Sequence, residues 1–353
     1  MGDTNPIASP VSSPILTITI PTYNRANFLL PFLKSIAAQL QADNLQDDVV
    51  VHVNDNASPD STQADVQAFR AANPWMRITY ARLPKTVSPD QNGILSVGAV
   101  KTPWTWIMAD DDAFTPGAIA FVTSRIRALS PDISFMTIQH DVYNSDLTQL
   151  MMKISGVIHG DHVFTGLSPQ ITPLLGQYVF MGKHIFRTQK WEQTENMQKY
   201  ADSRLLLLYF IFYWLSKGEK VAFYDRLCVL QRYNNSQMGE QDVFEIFWGV
   251  LHHIPTMIYE VSQSEEQRRH MLDATFHRFA LLSYKKAEPS GILPSARDWQ
   301  LFNEARKFHG HDWRFWLFYP PQLVMPPDLT RALKPVYDWV RTIRHRGPAA
   351  KKE

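Results

Sequence analysis

The sequence predicts an α/β protein: a mostly parallel sheet flanked by helices, followed by an α-rich C-terminal part. Three observations carry this. Strand and helix patterns alternate repeatedly over the first 140 residues, the order that sets parallel strands side by side through helical crossovers. Polar clusters fall directly after the strands, where open parallel sheets bind their ligands. Beyond Gln237 only helical spacing is found.

The elements follow in order. Ile15 to Ile20 is a β-branched run closed by Pro21 and reads as a buried strand. Phe28 to Leu40 has apolar residues at helical spacing, with Asn27 the expected N-cap and Pro31 acceptable only near the start. Val49 to Val53 is a second strand, and Ser61 to Ala72 a short helix capped by Asp60 or Ser61. Arg77 to Leu83 is a third strand, Asn92 to Val100 a third helix, and Trp104 to Met108 a fourth strand that runs into three aspartates. Pro116 to Leu129 reads as a fourth helix with proline in its first turn, and Asp132 to Gln139 as a further strand. Asp141 to Gly182 is irregular and rich in turn residues. A helix over Asp202 to Lys217 and a short strand over Val221 to Phe223 follow. Helical spacing returns over Phe244–Val261, Glu265–Ser283 and Ala296–Phe308, while Trp313 to Met325 is aromatic and broken by prolines.

Composition sets the outer limits. At 353 residues, 45% hydrophobic and 20% charged, the chain suits one large or two ordinary domains and is far too apolar to stay unfolded. Lys and Arg number 35 against 34 Asp and Glu, so the global charge footprint of a nucleic-acid binder is missing and no nucleic-acid partner is expected. One cysteine, Cys228, excludes an internal disulfide framework and gives no support to a cysteine-based metal site. No apolar run reaches the roughly 18 residues of a spanning helix, and the longest, Leu205 to Leu215, reads as a buried helix. Met1 to Pro14 lacks the basic-then-apolar order of a secretory signal. The expected location is the cytoplasm, free or at the inner face of the membrane.

Asp110, Asp111 and Asp112 end the fourth strand. Like charges this close raise each other's pKa unless a cation neutralises them, and oxygen-only ligands suit a hard divalent ion. An acidic turn capping the helix at Pro116 is the alternative. After the second strand, Asp55 in Asn54-Asp55-Asn56-Ala57-Ser58 can accept hydrogen bonds from a ribose or base, or belong to a polar loop that prepares the next helix. Neither segment holds a glycine-rich phosphate loop, so a dinucleotide fingerprint or P-loop is not indicated. Trp104, Trp106, Trp191 and Trp214 suit either sugar stacking or the core. Trp313, Phe315, Trp316, Phe318 and Tyr319, with Arg314 and the basic segment Arg331–Glu353, suit a headgroup interface or a homodimer interface.

Taken together, Ile18-Thr19-Ile20-Pro21-Thr22-Tyr23-Asn24-Arg25, then Asn54 to Ser58, then Ala109-Asp110-Asp111-Asp112 with Pro116 resemble the family 2 glycosyltransferases of the GT-A fold, over roughly Pro14 to Asn235. The resemblance implies transfer of a sugar, with inversion, from a UDP-, GDP-, CDP- or dTDP-linked donor. The implied acceptor is a hydroxyl of a glycan or lipid-linked glycan, as in bacterial O-antigen and surface-polysaccharide assembly. It implies that Pro21, Thr22, Asn24 and Arg25 line the nucleoside pocket, that Asp55 reads the base, and that Asp110 stands near the ribose. Asp111 and Asp112 would then hold Mn²⁺ or Mg²⁺. The pattern departs from the family at Asn54, Ala109 and Ala201, where acids are usual. Asn92 matches a donor-contacting asparagine, with a helix cap as the alternative.

Sugar hydroxyls are poor nucleophiles and need a base, and Asp202, followed by Ser203-Arg204-Leu205 and later Lys217-Gly218-Glu219, matches the family's general base. An N-cap role is its alternative, with Glu195 and Asp161 as reserve bases. Arg232 is a candidate for pairing with diphosphate oxygens or with a neighbouring acid, and Lys85 or Lys183 could make the diphosphate or donor contact instead. Two other functions stay open: a sugar-nucleotide nucleotidyltransferase, against which the lack of glycine in Pro21–Arg25 counts, and a catalytically silent glycan-binding module. The expected organisation is a flexible N-terminus over 1–13, a catalytic domain over 14–236, a helical region over 237–345 and a basic tail over 346–353.

Overall fold

The computed structural model describes residues 13–168, 170–175, 180–233, 240–276 and 294–324. The N-terminal tail up to residue 12, Asn234 to Ser236, the end of the helix expected to reach Ser283, and the basic tail lie outside the described residues. The described residues fall into two compact units, one within 1–236 and 261–274, the other within 237–260 and 275–353.

In the first unit β1 (Leu16–Thr22), α1 (Ala26–Ala42), β2 (Val49–Asp55), α2 (Thr62–Ala72), β3 (Ile78–Arg82), α3 (Pro89–Gly98) and β4 (Trp104–Ile107) follow the predicted alternation. Then come β5 (Ala113–Phe114), α4 (Ala118–Ala128), β6 (Ile133–Tyr143), β7 (Leu150–Met152), β8 (His162–Thr165) and α5 (Thr172–Leu175). The unit continues through β9 (His184–Arg187), α6 (Thr188–Glu192), α7 (Leu206–Ser216) and β10 (Lys220–Arg232). After α8 (Glu240–Trp248) and α9 (Ile254–Val261) of the second unit, α10 (Glu265–Ala274) belongs again to the first. The second unit is completed by α11 (Ala296–His309) and α12 (Trp313–Val324), with a π-helical turn, Gly249–His253, between α8 and α9.

The sheet runs β3-β2-β1-β4-β9-β6-β10-β5, with β7 on β6 and β8 on β10. Its first four strands are parallel, as predicted. The second half is mixed: β9 lies antiparallel between β4 and β6, and β10 runs parallel to β6 but antiparallel to β5. One face is covered by α1 and α4, where Leu29, Phe32, Leu33, Ile36, Ile119 and Val122 pack on Ile18, Ile20, Val51 and Trp106, all essentially removed from water. Each such side chain contributes about 1.5–3 kcal/mol of hydrophobic stabilisation. In the second unit, Leu301, Ala305, Phe315, Phe318, Tyr319 and Leu323 form a separate core.

Several expected boundaries move. β1 continues through Pro21 to Thr22, because Pro21 pairs with Asn54 on the β2 side. On the β4 side the ladder ends at the bond from the Met108 amide to the Thr19 carbonyl. The next β1 amide due there belongs to Pro21, which has none, so β4 peels away and leaves room for Asp110 beside Thr22. The N-cap of α1 is Arg25 and not Asn27, and the capping oxygen comes from Asp60, which accepts the Ala26 amide at 3.0 Å. Asp60 also takes the Thr62 amide and hydroxyl at the start of α2, so one carboxylate serves two helix starts. β10 spans 13 residues where a short strand was expected, its charged middle at Asp225 and Arg226 masking the pattern. Finally, α12 runs through Pro320 and Pro321 without breaking, anchored by the buried Phe315, Phe318, Tyr319 and Leu323.

Candidate active site

Four segments converge at the carboxyl edge of the parallel strands: the turn after β1, the turn after β2, the aspartate turn between β4 and β5, and the end of β10. Asn24 adopts a left-handed φ of 54°, which asparagine tolerates better than most residues, and its amide donates to Ser58 Oγ at 2.9 Å. From this turn Arg25 reaches the aspartates, with Nε 3.2 Å from Asp110 Oδ1 and Nη2 2.5 Å from Asp111 Oδ2. Thr22 donates to the other Asp110 oxygen at 2.6 Å. Asp112 accepts the Arg232 amide at 3.0 Å, and Arg232 Nε donates to the Asp111 carbonyl at 2.8 Å. Arg232 therefore ends a strand, β10, that is fastened to the aspartate turn. Asp112 does not cap α4, whose N-cap is Gly117.

Burial pushes the Asp110 carboxyl up to about 7, against the pull of Arg25 and Thr22. Asp112 is raised well above the ordinary carboxylate range by burial and then by the Asp111 charge, and its Oδ2 is buried with no hydrogen-bond partner. Oxygen-only donors and an unpartnered buried carboxylate oxygen fit a hard divalent cation. No group of three or more His, Cys, Asp or Glu side chains stands ready to hold a metal among the described residues. Ions of the Mg²⁺ kind need fewer, since they take one or two carboxylates and complete their shell with water and phosphate.

The turn after β2 is equally constrained. Asp55 is completely buried. Its Oδ2 accepts Tyr80 Oη at 2.6 Å and stands 3.3 Å from Arg82 Nε, while Oδ1 accepts the Ser58 amide at 2.8 Å. Burial and the neighbouring carboxylate raise the Tyr80 phenol above its ordinary value, which keeps it a donor. Asn54 donates to Asn92 Oδ1 at 2.7 Å. Asn92 sits inside α3, whose N-cap is Ser88, so the capping alternative for Asn92 does not hold.

Asp202 lies exposed in the turn before α7. That helix begins only at Leu206, so Asp202 is not its N-cap. The turn is tied to α3: Ser88 Oγ donates to the Ala201 carbonyl at 2.6 Å and Gln198 to Gln91 at 2.7 Å. Of the reserves, Glu195 is exposed, and Asp161 holds the Asp225 amide beside Arg125. Lys85 is exposed between β3 and α3. Lys183 is completely buried, and that burial lowers its ammonium pKa to about 7. Trp104, Trp106, Trp191 and Trp214 are core residues, whereas Trp313 and Trp316 are about half exposed. Sequence reasoning missed Tyr80, Arg82, Ser58 and Ser88. The first two become visible once β3 is placed beside β2, since the register sets Arg82 opposite Asp55.

A half-parallel sheet with an aspartate turn at the carboxyl edge of its fourth strand defines a GT-A glycosyltransferase fold. The chain belongs to glycosyl transferase family 2, whose model matches residues 17–230. It is 30% identical to the abequosyltransferase RfbV of Salmonella typhimurium over 132 residues, 37% of this chain and 35% of that protein. The chain thus matches about a third of that relative's length. Among solved structures it resembles S. aureus TarS 1–349 in complex with UDP, with a TM-score of 0.57 at 14% identity over 87% of this chain and 90% of that one. It also resembles the mannosyltransferase PcManGT from Pyrobaculum calidifontis in complex with GDP-Man and Mn²⁺, with a TM-score of 0.54 at 15% identity over 93% and 89% of the two chains. At these identities the two structures speak for the fold alone.

Proposed function

We propose that the protein is an inverting glycosyltransferase. It moves a sugar from a nucleoside-diphosphate donor to a hydroxyl of a glycan or lipid-linked glycan. The observation that carries this is the aspartate turn laid against Thr22 and Arg25 at the sheet's carboxyl edge. Asp55, oriented by Tyr80, Arg82 and Ser58, keeps acceptor capacity for the donor's base or ribose. Pro21, Thr22, Asn24 and Asn92 complete that pocket, with Asp110 beside the ribose. Asp111 and Asp112 would hold Mn²⁺ or Mg²⁺, which when bound offsets the charge of the departing diphosphate. Arg25 and Arg232 bring further positive charge to the same turn. Asp202 takes the proton from the acceptor hydroxyl as the oxygen attacks from the face opposite the leaving group. The half-exposed Trp299, Trp313 and Trp316 fit peripheral contact with a membrane that carries a lipid-linked acceptor. Among the described residues no helix is long and apolar enough to cross one.

The test is thermal stabilisation by UDP, GDP, CDP and dTDP, each with Mn²⁺, Mg²⁺ or EDTA. One diphosphate is expected to raise Tm selectively, with the shift lost in EDTA and in Asp111→Ala. A shift that survives EDTA would assign charge neutralisation to Arg25 and remove the metal. No shift with any diphosphate would favour a silent glycan-binding module.

A further inference from the structure

We propose that Asp90 is a positioning residue that sets where the Asp202 carboxylate stands, a role that rests on reading Asp202 as the general base. Asp90 lies in the first turn of α3, half-buried, with its carboxylate turned toward the segment before α7. It accepts the backbone amides of Arg204 and Leu206, and the Ser203 hydroxyl lies 3.3 Å from its Oδ2. The Ser203 hydroxyl is also 2.8 Å from the Tyr200 carbonyl and accepts the Leu205 amide at 3.1 Å. Arg204 is held at a φ of 61°, a left-handed conformation that a non-glycine residue keeps only when its surroundings enforce it.

On the other side of Asp202, Ser88 bonds the Ala201 carbonyl and Gln91 bonds Gln198. Asp202 is thus an exposed side chain on a backbone clamped before and after by one helical turn. The same turn is fixed to the donor edge of the sheet. Asn56 exchanges two hydrogen bonds with the Val87 backbone, and Asn92 accepts from Asn54, next to Asp55. Through α3, the base is referenced to the pocket that holds the nucleotide. A displacement of about an ångström at a proton acceptor is enough to cost large factors in rate.

The experiment compares the full-length protein with Asp90→Ala, Asp90→Asn, Asp202→Asn and the Asp90→Ala/Asp202→Asn double variant. Diphosphate release is measured from UDP-, GDP-, CDP- and dTDP-linked sugars, and the donor that wild type turns over fastest is carried forward. Asp90→Ala is expected to lower kcat at least tenfold with donor KM within about twofold, and Asp90→Asn, which keeps one acceptor oxygen, to recover part of the loss. In the Asp202→Asn background the Asp90→Ala change is expected to add nothing, because its effect runs through Asp202. An equal loss in that background, or an unchanged kcat, overturns the positioning role.

Amide hydrogen exchange supplies a second reading, independent of the donor. Exchange at Arg204 and Leu206 is expected to quicken in Asp90→Ala while the amides of β1 and β2 stay protected, and unchanged exchange also overturns the proposal. Failure of the base assignment shows differently: Asp202→Asn retaining wild-type kcat, or no donor turned over at all, removes the base and the positioning role with it.

Discussion

Asp55 is a fully buried carboxylate whose polar atoms are met by Tyr80, Arg82 and the Ser58 amide. Replacing Tyr80 by Phe removes a 2.6 Å bond to a buried carboxyl group and puts nothing in its place. The expected cost is about 1.5–3 kcal/mol in urea unfolding, with weaker stabilisation by the matching nucleotide. An unchanged midpoint would mean that Arg82 and Ser58 suffice.

His140 offers a pH test at the same scale. It is buried, stacked on Phe180 at 4.3 Å, and its pKa is pushed down to about 3 by burial and then by Lys183, against the pull of Asp141. Its folded pKa lies below the ordinary 6.5, so the unfolded chain binds the extra proton and stability falls as pH drops through 6.5. Between pH 7 and 5 the wild type should lose about 2 kcal/mol more than His140→Phe. Parallel losses in the two proteins would show that His140 charges without penalty. Lys183, lowered to about 7, acts in another window: stability climbs as pH rises from 7 toward its ordinary 10.5. That Asp55 and Asp110–Asp112 gather at the carboxyl edge of the sheet was legible, because they stand at or just beyond the ends of predicted strands. The partners of Asp55 were not, since Tyr80 and Arg82 arrive from β3 through register that no local pattern encodes.

Among elements, the helices and parallel strands of the first half follow from apolar spacing, and their ends shift where a cap comes from elsewhere in the chain, as Asp60 does for α1. The antiparallel β9 was hidden because four residues, His184 to Arg187, give too short a pattern to separate from a loop. A turn at Gly218 joins the predicted helix ending at Lys217 to the predicted strand from Val221, and the tightest approach to it comes from Gly166, just after β8. Gly166 has φ +54°, and a Cβ there would lie 2.9 Å from Gly218 Cα and 3.0 Å from the Leu215 carbonyl. Gly218 has φ +85° with open space around it. Alanine at Gly218 should therefore cost about 1 kcal/mol, the left-handed penalty alone. Alanine at Gly166 should cost clearly more, because backbone must move as well. Urea unfolding of the two variants decides this, and equal costs would show that the β8 turn yields without strain.

For the whole molecule, composition and alternation were enough to name an α/β sheet with a helical C-terminal part, because both features are set by period and order. They could not show that the chain returns to its first unit after leaving it. α10 lies beyond Gln237 in sequence yet packs with α5 in the first unit, and Gln267 Nε2 donates to the Ser216 carbonyl at 3.1 Å, at the end of α7. Met271 and Leu272 are the buried residues of this helix. A Leu, Ile or Met to Ala change at such a site typically costs about 2–5 kcal/mol through lost burial and the cavity left behind. Met271→Ala should therefore loosen the first unit: amide exchange is expected to quicken in α5 and at the end of α7, with α11 and α12 keeping their protection. Faster exchange confined to α11 and α12 would assign α10 to the other core, and the sequence order of the C-terminal helices would then describe their packing after all.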